Sequence, residues 1–599
     1  MLLDEFRPPS GFRLDRAIGT TYSLDLISLL AAALSMVFYQ AENREDVFEN
    51  PIQGVEAVQR VKDKLVIFCQ KARISVPAAS SYLFSFLEDL VVEAEPKLGK
   101  GVFHPKIWVL RFENDESETI YRFICLSRNL TYDRSWDAIV TLEGPLRQDR
   151  KMGFGQNRPL SNFLEYLPEL ASQQVNDDQK KLIEIIGSEI RRVEFEPPRP
   201  FEGKIKFMPS GIKGYRKIDF DNNSRTLVMS PFISPKVLEK IGGKRNNILI
   251  SRGGSLDNIK EDEIKNLKKR YEIYQVDEDI GDEEEREEEI LSGLHAKVYI
   301  QEKGFDAEVA IGSSNATSPA FRGDNIEFMV GFVGKKSKVG INKLMADERG
   351  SYKEFLRPYT ETGIVSEEER VQKELEMLLE ETRDAITKGK PNLDLKEHSS
   401  EKLWDLIIFF KENVSISEDV EVEVYPVSLE KGNARKVRGS EKEEKIVFPK
   451  LELDQITGFF AFKLSSKKKG QSVSIGFVLN LPLPKKLVGR DRKILSKLVS
   501  DQDKFYRFLL LLLADEEKFF FGKMVGKRRW GNKRQAEGIE TLPLLEEMVR
   551  AFSRSPERLK RINALITELH STEEKEEIFP EGFLEFWAAF REGLEGESK

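Results

Sequence analysis

Short apolar, β-branched runs recur along the first 345 residues, separated by stretches with helical spacing. The predicted strands are 64–70 (KLVIFCQ), 105–112 (PKIWVLRF), 121–127 (YRFICLS), 225–232 (RTLVMSPF), 247–251 (NILIS), 271–276 (YEIYQV), 296–301 (AKVYIQ) and 307–313 (AEVAIGS). Helical patterns fall at 81–94 and 235–241, and this alternation predicts an α/β fold. The three prolines within 194–203 read as a linker between two halves of similar plan, 1–198 and 199–345. The charged, periodic stretch 366–383 predicts a connecting helix within a region spanning 346–400. Residues 419–482 alternate as an antiparallel sheet does, and the pattern from about 490 to 595 is helical, so 401–599 is expected to form an α+β C-terminal module.

A length of 599 residues suggests roughly four folding units. The longest uncharged run, 26–39, is shorter than the ~20 residues that span a bilayer and predicts a buried core helix. With no signal-peptide pattern at the N-terminus, a soluble, cytoplasmic protein with no membrane partner is expected. Two cysteines, Cys69 and Cys125, exclude a disulfide framework, and with only four histidines a zinc cluster is not expected. The expectation is therefore chemistry with no metal and no cofactor.

Two short patterns carry the candidate chemistry. His104-Pro-Lys106 is followed by Ser127-Arg-Asn129, and His295-Ala-Lys297 by Ser313-Ser-Asn315. On a strand, residues i and i+2 share a face, so each half can present His, Lys, Ser and Asn towards one point. Pro105 lacks a backbone donor and requires an edge, an end or a bulge at that place. His398 and His570 stand in charged segments without a partner motif and are read as surface histidines.

These residues resemble the phospholipase D superfamily, whose members pair two His-x-Lys motifs across a pseudo-twofold axis. Five residues after each Lys, where the common phospholipase pattern has Asp, this chain has Arg111 and Glu302. The Ser-x-Asn residues and a later carboxylate are more similar to the tyrosyl-DNA phosphodiesterase branch and related nucleases. The second motif matches closely, with Glu327 at the supporting carboxylate position. The first is looser, with Asp137 roughly at that position. The resemblance covers about 60–335 and implies two phospholipase D-like halves and a metal-independent phosphodiesterase. His104 would be the nucleophile and His295 the general acid/base. Lys106, Lys297, Asn129 and Asn315 would hold phosphate oxygens, while Glu327 and Asp137 would accept a hydrogen bond from a histidine. Both motifs lie in one chain, so a monomer suffices for catalysis.

Charge distribution bears on the substrate. The chain carries a net charge of -8, yet 485–534 holds 15 basic and 6 acidic residues. Its densest part contains Lys523, Lys527, Arg528, Arg529, Trp530, Lys533 and Arg534, a composition suited to gripping phosphates and stacking on a base. The cluster 465–470 is read as a basic hairpin tip. The acidic run 277–290, with Glu283, Glu284, Glu285, Glu287 and Glu288 at its centre, ends shortly before His295 and reads either as an exposed charged loop or as a polyanion mimic that screens the cleft. The leading expectation is a nuclease acting on nucleic acid, with DNA as the expected partner. Chains of this kind resemble nuclease components of prokaryotic antiviral defence systems. No phosphate-binding loop for ATP is present, so unwinding would need a helicase or ATPase partner. The rivals are a phospholipase or phosphatidyl transferase, and an inactive nucleic-acid-binding subunit.

Overall fold

The computed structural model describes residues 2–37, 51–97, 101–131, 134–149, 153–276, 292–346, 352–360, 367–398, 402–439, 444–485, 487–499 and scattered positions between 501 and 588. The acidic run 277–290 and the basic residues 523–534 lie outside the described residues, as does most of the predicted C-terminal helical section.

The first half is built on β1 (Arg13–Thr21), β2 (Leu65–Gln70), β3 (Val91–Ala94), β4 (Ile107–Glu113), β5 (Thr119–Leu126) and β7 (Ile139–Pro145), with the short β6 (Arg134–Trp136) outside the main sheet. The sheet order is β3-β2-β1-β4-β5-β7. β1 runs parallel to β2 and antiparallel to β4, the parallel crossover being made by α1 (Leu26–Val37) and α2 (Pro51–Val61). Helix α1 is the uncharged run of the sequence, and among its residues only Ser28 escapes full burial. Such a helix, apolar on every face, must lie inside the protein.

The second half comprises β8 (Glu202–Ser210), β9 (Arg225–Met229), β10 (Asn247–Ser251), β11 (Tyr271–Val276), β12 (Ser292–Leu294), β13 (Val298–Lys303), β14 (Asp306–Gly312), β15 (Glu327–Lys335) and β16 (Leu356–Pro358). Its sheet order is β16-β11-β10-β9-β13-β14-β15-β8. The series β11-β10-β9-β13-β14-β15 repeats the order and strand senses of β3-β2-β1-β4-β5-β7, with β16 and β8 added at the two edges. The two sheets share a buried core in which Phe123 meets Phe207 edge-on at 5.1 Å and lies 5.8 Å from Phe328. Helices α3 (Arg158–Leu170) and α4 (Asp177–Glu189) add Phe163, Leu167 and Ile186 to that core. An Asn176 capping box starts α4.

The sequence reading places 81–94 in one helix; the chain instead makes a 3-10 turn, Tyr82–Leu87, and then strand β3. Leu90, Val91 and Val92 are all buried, and consecutive apolar residues of this kind suit a strand covered on both faces. The connecting helix appears as α5 (Glu367–Lys388). Beyond it, β17 (Pro391–His398), β18 (Leu403–Phe410) and β21 (Lys445–Leu451) form one antiparallel sheet. β19 (Val420–Pro426), β20 (Arg435–Lys436), β22 (Phe459–Lys468) and β23 (Gln471–Asn480) form another. The expected basic hairpin tip is the β22–β23 turn. It is not an open cluster, because Lys468 pairs with Glu374 and Lys469 with Glu367, both on α5. His398 lies 2.9 Å from Asp405 on the neighbouring strand, and His570 is exposed.

The C-terminal sheet docks on the β3 edge of the first half. Val478 N–H donates to the Ile74 carbonyl at 2.8 Å, and the Asn480 amide donates to the carbonyls of Glu88 and Val91. Two buried carboxylates complete the contact. Glu88 accepts from Thr457 Oγ1 and Gly458 N–H and pairs with Arg490 at 2.8 Å, while Glu93 accepts from Ala72 N–H and Asn480 N–H. Burial pushes the Glu93 carboxyl up to about 7.

Candidate active site

Both His-x-Lys segments lie in the lead-in just before a central strand, β4 or β13, and not within it. The predicted strand face is therefore replaced by a bend in which Lys106 Nζ donates to the His104 carbonyl at 2.9 Å and Lys297 Nζ to the His295 carbonyl at 2.6 Å. Pro105 costs no ladder hydrogen bond at this place. Ser127 and Ser313 each follow the last residue of the paired strand, β5 or β14.

The neighbouring strands show why the two motifs correspond. Gly312 pairs with Met329, and Leu126 pairs with Ile139. Counting back two residues on each partner strand reaches Glu327 and Asp137, so both carboxylates occupy the same register position. Each serine Oγ accepts from the next backbone N–H: Phe328 to Ser313 at 3.0 Å, Ala138 to Ser127 at 2.8 Å. The sequence places Asp137 only roughly at this position, because the connections from Ser to carboxylate differ in length.

Each histidine is held by the opposite half. His104 N–H donates to the Ile326 carbonyl at 2.9 Å, and His295 N–H donates to the Trp136 carbonyl at 2.9 Å. Lys297 Nζ also reaches the Ser127 carbonyl at 3.2 Å. Most consequential is the contact of His104 Nδ1 with Glu327 Oε2 at 2.9 Å, a histidine of the first half on a carboxylate of the second. Glu327 is fully buried and is further held by Ser313 Oγ at 2.5 Å and Asn325 Nδ2 at 3.2 Å. Burial pushes its carboxyl up, but His104, Lys106 and the Ser313 hydroxyl outweigh that and hold it below the usual carboxylate value. Ionised Glu327 fixes the proton on His104 Nδ1 and leaves the Nε2 lone pair available.

The second histidine differs. Asp137 has the register position of Glu327, yet its carboxylate pairs with Arg128 at 3.2 Å, and His295 Nδ1 is buried without a hydrogen-bond partner. The expectation that Asp137 orients a histidine is therefore not met in this state, because the guanidinium beside it in the Ser-Arg-Asn motif holds it.

The site is short of negative charge. Lys106 and Lys297 are each 1% exposed. Burial, and then the charge of Lys297, drive Lys106 well below its ordinary value. Burial takes His104 down to about 4, and the charges of Lys106 and Lys297 act in the same direction. His295 is taken down to about 2 by burial, then by Lys297, Arg252, Lys106 and His104. The amide oxygens of Asn129 and Asn315 are buried without partners. Two buried lysines and two imidazoles around the Glu327 carboxylate supply hydrogen-bond donors for an anion, and the Asn129 and Asn315 amides would serve it through their N–H groups. Arg111 and Glu302, which stand where the phospholipase pattern has Asp, face away from this chemistry. Arg111 binds Asp15, Glu113 and Glu189, and Glu302 binds Arg225 and Lys336.

Sequence reading missed Tyr22, just past β1. Its ring stands edge-on to the His104 imidazole at 5.0 Å, with Lys106 Nζ 5.7 Å from its centroid. No repeated motif marks it.

No family model and no curated protein matches the chain. Among solved structures it is similar to the yeast tyrosyl-DNA phosphodiesterase, at 13% identity and a TM-score of 0.34, over 58% of this chain and 87% of that one. It is also similar to the phosphatidylserine synthase of Haemophilus influenzae, at 10% identity and a TM-score of 0.32, over 64% of this chain and 91% of that one.

Proposed function

We propose that this chain is a phosphodiesterase that cleaves nucleic acid through a phosphohistidine on His104, with DNA as its substrate, and that its halves are related by pseudo-twofold symmetry about the site. The observation that supports this reading best is the buried Glu327–His104 pair, formed between halves and flanked by two buried lysines.

In the first step His104 Nε2 donates its lone pair to phosphorus, forming the P–N bond as the P–O bond to the leaving group breaks. The departing oxygen keeps that electron pair and takes a proton from His295. In the second step His295 accepts a proton from water as the water oxygen attacks phosphorus, and the P–N bond breaks to return the lone pair to His104. Lys106, Lys297, Asn129 and Asn315 neutralise charge on the non-bridging oxygens. Glu327 stabilises the histidine as its ring gains positive character. His104 is assigned as nucleophile because it alone has an ionised carboxylate on Nδ1.

The test presents single- and double-stranded DNA, RNA and phospholipid vesicles to the purified chain in EDTA, beside His104→Ala and His295→Ala. Expected is cleavage of DNA, abolished in both variants, with a radiolabelled phosphoryl adduct trapped on the protein only when His104 is present. Cleavage of lipid alone, or binding without turnover, overturns the reading.

A further inference from the structure

Helix α5 lies outside the sequence motifs, yet it is linked to His104 through Arg73 and Tyr22. Arg73, in the turn after β2, places its guanidinium 5.2 Å from the Tyr22 centroid, and Tyr22 in turn touches His104. The same guanidinium grips Glu380 of α5 with both arms, at 3.3 and 2.8 Å. Arg383, one turn along α5, holds the same carboxylate through Oε1 at 2.9 Å and through Oε2. Two forks thus close on one carboxylate.

Anchoring a helix needs one such pair. The second guanidinium is costly, since the Arg383 side chain is only 9% exposed and lies against the charge of Arg73. One carboxylate cannot neutralise both; Glu381 and Asp384, the next acidic residues of α5, are exposed, and the charge of Asp384 acts on Tyr22 less than those of Arg73, Arg383 and Glu380. The Glu380 side chain that covers them is 41% exposed, so it can turn out to solvent and leave two bidentate donors beside Tyr22. Paired guanidiniums match phosphate geometry, and an aromatic ring between them and the nucleophile offers a face for a base or sugar.

We propose that Arg73 and Arg383 form a second phosphate subsite, one nucleotide along from the scissile bond, which Glu380 occupies until a strand displaces it. The inference rests on the nucleic-acid reading above and deepens it: the substrate is a strand of successive phosphodiesters, not an isolated one. Tyr22 packs the intervening nucleoside.

The test uses the full chain in EDTA with fluorescein-labelled oligothymidylate, the same strand bearing one uncharged methylphosphonate at each position in turn, and bis(p-nitrophenyl) phosphate. Expected is a single position beside the cleaved bond where the methylphosphonate lowers wild-type kcat/KM about tenfold or more, with no further loss in Arg383→Gln. Arg383→Gln should lose at least about tenfold more on the strand than on bis(p-nitrophenyl) phosphate. It should also flatten the slope of log binding constant against log salt by about 0.7. Glu380→Gln should bind the strand more tightly. A strand cleaved with no such position, and an Arg383→Gln variant with equal losses on both substrates and an unchanged salt slope, overturn the subsite while the nuclease reading stands. Strand binding with all these dependences but no cleavage overturns the catalytic reading and leaves the subsite. Turnover of phospholipid with no strand binding overturns both.

Discussion

At the scale of single residues, the decisive asymmetry is that one histidine has an ionised partner and the other has none. Glu327→Gln keeps a hydrogen-bonding group at 2.9 Å from His104 but removes its charge. The expected result is a kcat loss of about 10³-fold with nearly unchanged substrate affinity, measured by steady-state kinetics. Because Glu327 favours the protonated ring, its loss also moves the acid limb of kcat/KM below the value of about 4 set by His104. His295 poses the complementary case. Burial and neighbouring cations lower it to about 2, so in the proposed reaction the proton that it donates would have to arrive with the anion. Binding of tungstate or phosphate should take up protons near neutral pH and tighten as pH falls. Calorimetry in buffers of different ionisation enthalpy measures that uptake, and His295→Gln should reduce it.

At the scale of elements, Glu93 links strand β3, the turn that carries Arg73, and strand β23. It accepts from Ala72 N–H at 2.9 Å, beside the left-handed Ala72 (φ 56°), and from Asn480 N–H at 3.2 Å. Its carboxyl, raised from 4.5 to about 7, binds a proton more tightly in the folded state than in the unfolded one. The sign follows: its stabilising contribution is full below 4.5 and is lost as pH rises through about 7. Thermal unfolding from pH 5 to 8 should show Glu93→Gln matching the wild type at the acid end and exceeding it at the alkaline end. The partly buried histidines act oppositely. His104, lowered from 6.5 to about 4, contributes stability above 6.5 that is lost as pH falls towards 4, so the two effects separate by variant and by direction. Some elements were legible from pattern and others were not. The eight expected strands are present because each is a compact β-branched run. Strand β1 escaped notice although it is central, because Arg13, Asp15 and Arg16 interrupt its apolar pattern and are paired with Asp115, Arg111 and neighbouring groups at the sheet margin. The repeated motif was legible because its chemistry is duplicated. Tyr22, Arg73, Glu380 and Arg383 were not, since only tertiary contact joins Tyr22 to His104 and the other three to Tyr22 and to one another.

At the scale of the whole molecule, one apolar core runs from α1 and the first sheet through Ile74 into Val478, Phe460 and Phe462 of the C-terminal sheet. A shared core couples unfolding. Hydrogen exchange should therefore show β2, β3 and β23 losing protection together in denaturant, and separate transitions would contradict that coupling. Neither half completes the candidate site alone: the proposed nucleophile belongs to the first, its carboxylate to the second, and the lysine of the second closes on a carbonyl of the first. The imidazole–carboxylate contact therefore acts as a gauge of alignment. A slip of one residue between β14 and β15 would turn Glu327 to the opposite sheet face and disconnect His104, so the proposed chemistry requires correct register inside the second half as well as its docking on the first.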